Sequence, residues 1–109
     1  MTTVLVIDDS PSELAKFREL LSKNNYTMLE ATNGEDGVKM AQEQLPDVIL
    51  MDVVMPEMNG FQATRKITKN SATAHIPVII VSTKNQETDR VWGNRQGAKE
   101  YLTKPVEEA

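Results

Sequence analysis

The sequence predicts an α/β fold, a doubly wound parallel sheet of five strands flanked by at least four helices. Three observations carry that prediction. Val4-Leu5-Val6-Ile7, Val48-Ile49-Leu50-Met51 and Val78-Ile79-Ile80-Val81 are apolar at every position, as strands covered on both faces require. The stretches between them place apolar residues at helical spacing. Strands alternating with helices in this way imply βαβ units whose right-handed crossovers put helices on both sides of one sheet.

Each element has its own local reason. The first strand stops abruptly at Asp8-Asp9, and Ser10-Pro11-Ser12-Glu13 predicts a capping box with Ser10 as N-cap, Pro11 at N1 and Glu13 at N3. Leu14, Phe17 and Leu21 continue that helix, and Asn24-Asn25 closes it. Thr27-Met28-Leu29-Glu30 reads as a weak second strand. Asn33-Gly34 then starts a second helix carrying Val38, Ala41 and Leu45, and Pro46 ends it. The third strand runs to Asp52, Pro56 to Gly60 is loop, and Phe61, Thr64 and Ile67 mark a third helix. The fourth strand ends at Ser82-Thr83. Val91 and Trp92 read as packing residues of a fourth helix, with a partner-binding role for Trp92 as the alternative, and Gly97 signals its end. Tyr101-Leu102 makes a short fifth strand that runs into Lys104-Pro105, and His75 reads as a solvated loop residue.

Composition narrows the function. The 109 residues make one domain spanning 1–109. Twelve basic against sixteen acidic side chains leave a net charge of −4, which argues against a phosphate-backbone footprint and so against nucleic acid as a partner. With no cysteine and one histidine, disulfides, thiolate zinc sites and histidine metal clusters are excluded. No apolar run approaches the roughly 20 residues of a membrane span, so no membrane insertion is expected and the default location is the cytoplasm.

The polar residues fall at informative places. Asp8 and Asp9 end the first strand, Asp52 the third, Ser82 and Thr83 the fourth, and Lys104 the fifth. In an open α/β sheet, ligands bind outside the carboxyl ends of the strands. Three carboxylates on one rim repel one another, and burial adds to the strain. A hard divalent cation held by oxygen ligands relieves both, and Mg²⁺ suits such a set. Phosphate oxygens complete a Mg²⁺ held this way, with Lys104 and the Ser82 hydroxyl to meet them. One carboxylate is then placed to act as a nucleophile, and Asp52, at the end of a central strand, is the natural choice.

These residues carry a family resemblance. VLVIDDS, PDVILMDVVMPEMNG, PVIIVST and YLTKP resemble the receiver domain of two-component response regulators, the CheY-like family, from about Val4 to Pro105. The resemblance implies a sheet in the order 2-1-3-4-5. It implies that Asp52 is the phosphoacceptor and that Asp9, Asp8 (through metal-bound water), Asp52 and the carbonyl of Val54 hold Mg²⁺. Lys104 pairs with phosphate, Ser82 and Tyr101 form the switch, and Lys104-Pro105 is a cis peptide. The donor is a histidine kinase, and the output is a remodelled protein-binding face that engages a downstream motility or signalling protein. The stretch FQATRKITK…IPVIIVSTKNQETDRVWGNRQGAKEYLTKPV is further similar to the single-domain receivers of the type IV pilus chemosensory system, which implies control of twitching motility. Such a receiver promotes its own phosphotransfer and dephosphorylation and has no separate substrate.

Members of the family continue into a fifth helix, whereas only Val106-Glu107-Glu108-Ala109 follow Pro105. The expectation is a fifth helix that is truncated or missing, with self-association through the bared face. Two other functions compete. A phosphoaspartate phosphatase needs a second Asp two residues after the nucleophile, where this chain has Val54. A metal-free interaction module of the same fold, not phosphorylated, is the alternative from a different class.

Overall fold

The computed structural model describes residues 1–105. Over these it contains β1 (Thr3–Ile7), α1 (Pro11–Lys23), β2 (Thr27–Ala31), α2 (Gly34–Gln44), β3 (Val48–Met51), α3 (Gly60–Lys69), β4 (Val78–Ser82), α4 (Glu87–Arg95) and β5 (Glu100–Thr103). The strands form one parallel sheet in the order β2-β1-β3-β4-β5. The chain leaves β1 toward one edge and returns on its other side as β3, so the strand order reverses between them. That reversal opens a crevice beyond the carboxyl ends of β1 and β3.

Alternation along the strands sorts the apolar side chains onto two faces. Leu5 and Ile7, with Ile49, Met51, Val78 and Ile80, pack against Ala41 of α2 and Phe61, Ala63 and Ile67 of α3. Val4, Val6 and Val81 pack against Leu14, Phe17 and Leu21 of α1. The second face is the thinner one. Val48, Leu50 and Ile79 lie on it only partly buried, so the expectation that every residue of these strands is buried holds for β1 beyond Thr3 and not for β3 or β4. Among the described residues, α1 is the helix that packs on this face. The expected loss of a fifth helix concerns residues 106–109, outside the described residues.

Three local expectations need correction. The capping box at Ser10 is only half made. Its hydroxyl accepts from the Glu13 N–H at 3.4 Å, but its own N–H donates to Asp8 Oδ1 at 3.0 Å, while the Glu13 carboxylate turns toward cations. A buried carboxylate two residues upstream outcompetes the more distant one. Leu45 is not carried on α2; it caps the helix in the left-handed region at φ 46°, which swings its side chain into solvent. Val91 and Trp92 are also exposed, because α4 turns Gly93, its one buried residue, to the sheet.

Candidate functional site

Two acids are fixed by main-chain bonds that extend the sheet one step past the strands. The Asp8 N–H donates to the Ala31 carbonyl at 3.0 Å, and the Asp52 N–H to the Ile7 carbonyl at 2.9 Å. Both side chains thus emerge in the crevice between β1 and β3. Asp8 is 2% exposed and Asp52 9%, while Asp9 faces solvent. Carboxylate oxygens of all three lie within 4.8 Å of one another. Behind Asp52 the start of α3 presses close. A Cβ on Gly60 would sit 1.9 Å from the Asp52 carbonyl oxygen, and the Gly60 N–H donates to the Val53 carbonyl at 2.8 Å. Only a residue without a side chain fits there.

Lys104 reaches the same crevice from β5. Its N–H donates to the Ser82 carbonyl at 2.9 Å, and the Lys104–Pro105 peptide is cis. Its ammonium donates to Asp8 Oδ2 at 2.8 Å and to Asp52 Oδ1 at 3.3 Å, with Glu13 Oε2 at 3.9 Å. One cation therefore serves several anions, and the consequences differ on the two sides of the pair. The Lys104 pKa is raised: burial acts to lower it, but the bond to Asp8 and the charges of Asp52 and Asp8 win. Asp52 is pushed up to about 6, by burial first and by the Asp8 charge second, and Lys104 offsets only part of this. A shared ammonium is over-compensated while the acid sharing it is under-compensated.

The predicted hydroxyls part company. Ser82 is fully buried and its Oγ accepts the Lys84 N–H at 3.1 Å, whereas Thr83 is exposed. Tyr101 is 7% exposed, and its hydroxyl donates to the Lys84 carbonyl at 2.7 Å. Burial raises its pKa. Val54 follows β3 with its side chain in solvent. Asp8, Asp9, Asp52 and Lys104 thus come together directly. Ser82 and Tyr101 converge on Lys84, one at its N–H and the other at its carbonyl.

Sequence reasoning missed Glu13 near Lys104, Gly60 against Asp52, and Arg90, which bonds β5. Glu13 had a signal that pointed elsewhere, its place in a capping motif. Gly60 directly follows Asn59, the N-cap of α3, and in the sequence it reads as ordinary loop punctuation.

Chemically, the cluster offers a partly buried carboxylate with a raised pKa, two further acids and one ammonium in a crevice open to solvent. Hard oxygen donors of this kind suit a divalent cation, and the ammonium suits a phosphoryl oxygen.

Comparison with known proteins agrees with that description. The response regulator receiver domain model matches residues 4–109. Protein PilH of Pseudomonas aeruginosa is 58% identical over 108 residues, covering 99% of this chain and 89% of that protein. The structure of the Vibrio cholerae chemotaxis protein CheY4 superposes with a TM-score of 0.92 at 30% identity, covering 98% of this chain and 89% of the other. The receiver domain of a Pseudomonas aeruginosa sensor histidine kinase, solved with a magnesium ion coordinated in its active site cleft, superposes with a TM-score of 0.89 at 27% identity, covering 97% and 87%.

Proposed function

The chain belongs to the response regulator receiver domain family, and from that premise we propose that it takes a phosphoryl group from a phosphohistidine of a histidine kinase onto Asp52. The observation that carries this reading is the placement of Asp52 Oδ1 3.3 Å from the Lys104 ammonium, beside Asp8 and Asp9 with oxygens within 4.8 Å. The Asp52 oxygen attacks phosphorus, a P–O bond forms, and the P–N bond to the kinase imidazole breaks, its electrons returning to that ring. Lys104 neutralises phosphoryl oxygens as charge shifts onto them, and the rigid strand ends hold the nucleophile in line. Asp8, Asp9, Asp52 and the Val54 carbonyl would hold Mg²⁺, which supplies further charge neutralisation when bound. Ser82 and Tyr101 pass the event to the face formed by α4 and β5.

The finer parts of the reading follow from the resemblance and from 58% identity to PilH. The residues 1–109 act as one receiver in the cytoplasm, within a type IV pilus chemosensory pathway, on a downstream motility or signalling protein. The receiver has no separate substrate. Self-association uses the thinner, α1 side of the sheet, where Val48, Leu50 and Ile79 are partly open.

Incubation with acetyl phosphate and Mg²⁺, followed by intact mass, tests the proposal. Wild type should gain one phosphoryl group and Asp52→Asn none; equal labelling of both rejects Asp52 as the acceptor. One observation favours the metal-free interaction module instead. Both Asp8 oxygens are already engaged, by the Ser10 N–H and by Lys104. Calorimetric titration with Mg²⁺ separates the two, since the module binds none.

A further inference from the structure

Arg90 is an exposed residue of α4 whose guanidinium spends its donors on the edge of the sheet. One nitrogen, Nη1, donates to the Tyr101 carbonyl at 3.1 Å, and Nη2 donates to Thr103 Oγ1 at 3.0 Å. β5 is an edge strand, so its outward groups have no neighbouring strand to pair with. A planar guanidinium reaches both acceptors at once with two fixed donors, a geometry that an ammonium lacks. With those anchors made, the Arg90 Cζ lies over the Tyr101 ring, 5.4 Å from its centroid.

The same ring is pressed by α4 at a second point. Gly93, one turn beyond Arg90, is so close that a Cβ there would meet Ile80 Cδ1 at 3.0 Å and Tyr101 Cδ2 at 3.1 Å. The far end of the ring is tied to the loop before α4, through its hydroxyl and the Lys84 carbonyl. The Lys84 N–H is in turn held by Ser82 Oγ. A continuous set of contacts therefore runs from Ser82 through Lys84 and Tyr101 to Arg90 and Thr103, next to Lys104. Because α4 buries only Gly93, its apolar grip on the sheet is slight and the Arg90 fork is a major part of its attachment.

We propose that Arg90 is a positioning residue of the switch: anchored on the outer edge of β5, it holds the Tyr101 ring inward and ties that ring's position to α4. This rests on the reading of Tyr101 as a switch residue. The anchors are a main-chain carbonyl and a neighbouring side chain, so they stay put when the Tyr101 ring rotates. The guanidinium then bars the ring's outward path.

The chain has two tyrosines, Tyr26 and Tyr101, so 3-fluorotyrosine gives two ¹⁹F signals, with the exposed Tyr26 as internal reference. The H₂O-to-D₂O isotope shift reports how far each ring is exposed. In Arg90→Met the outward-to-inward ratio of Tyr101 should rise about tenfold, from loss of the cation that lies over the ring and bars its outward path. Arg90→Lys should recover only part of it. A Tyr101 signal that stays as buried in Arg90→Met as in wild type overturns the proposal. If Arg90→Met does not fold, Thr103→Val removes one anchor alone, and an unchanged Tyr101 signal there overturns it equally. Phosphorylation of Arg90→Met by acetyl phosphate should be retained. Failure of wild type itself to gain mass would reject the phosphoacceptor reading and leave the ¹⁹F result to stand on its own.

Discussion

Replacing Asp52 with Asn should stabilise the metal-free protein, by an amount that depends on pH in a direction the site dictates. Asp52 is buried beside Asp8, and its pKa rises from 3.8 to about 6. At about 1.4 kcal/mol per unit, holding Asp52 ionised in the fold costs about 3 kcal/mol as an upper bound. The folded-state pKa lies above the unfolded one, so between them the folded state binds more protons. The contribution of Asp52 to stability is therefore lost as pH rises. Below about pH 4 the acid and the amide should match. Above about pH 6 the full cost is present in wild type and absent in Asp52→Asn. Asn keeps the volume, and Lys104 keeps its bond to Asp8, so the variant creates no unpaired cation. For a domain of this size 3 kcal/mol corresponds to a Tm difference on the order of 10 °C. The assay is thermal or urea unfolding of both proteins in EDTA from pH 4 to 7.5. Comparing them cancels the titrating groups that lie away from Asp52. A difference that is flat across this range, or that shrinks as pH rises, would refute the electrostatic account of the site. Mg²⁺ added at pH 7.5 should narrow the gap.

Lys104→Met should destabilise the protein in EDTA at pH 7 by about 3–5 kcal/mol, because it leaves Asp8 and Asp52 buried without a cation. Mg²⁺ should restore more stability to this variant than to wild type, read as a larger shift in Tm. Gly60→Ala drives a methyl group into the Asp52 carbonyl and should cost about 3 kcal/mol or more, with loss of phosphorylation in the intact-mass assay. Val54 is 61% exposed, so Val54→Asn should change stability by less than about 0.5 kcal/mol. The family resemblance implies that the residue two beyond the phosphoacceptor flanks the attacking water's route, so phosphoryl decay of Val54→Asn should be faster than wild type; equal or slower decay refutes that role.

What the sequence determined by itself is whatever depends on neighbours along the chain. The β-branched runs define β1, β3 and β4. Asn33 and Ser10 cap their helices, and an acid, hydroxyl or lysine stands at each strand end that faces the crevice. Parallel strands share a polarity, so a residue just past the end of any of them reaches the same rim, and Asp8, Asp9, Asp52 and Lys104 were legible as one cluster. What only the tertiary structure decided is which groups pair. Asp8 and Lys104 are 96 residues apart, and nothing local tells that Asp8 would claim both that ammonium and the Ser10 N–H, releasing Glu13 from its capping role. The fate of α4 was equally hidden. Its hydrophobic residues Val91 and Trp92 suggest an inward face, yet the bulk of Tyr101 and Ile80 leaves room only for Gly93. The helix is turned so that its large apolar groups face solvent and Arg90 meets the sheet edge. Periodicity records which residues share a side of a helix. Which side meets the sheet is set by the space the rest of the fold leaves.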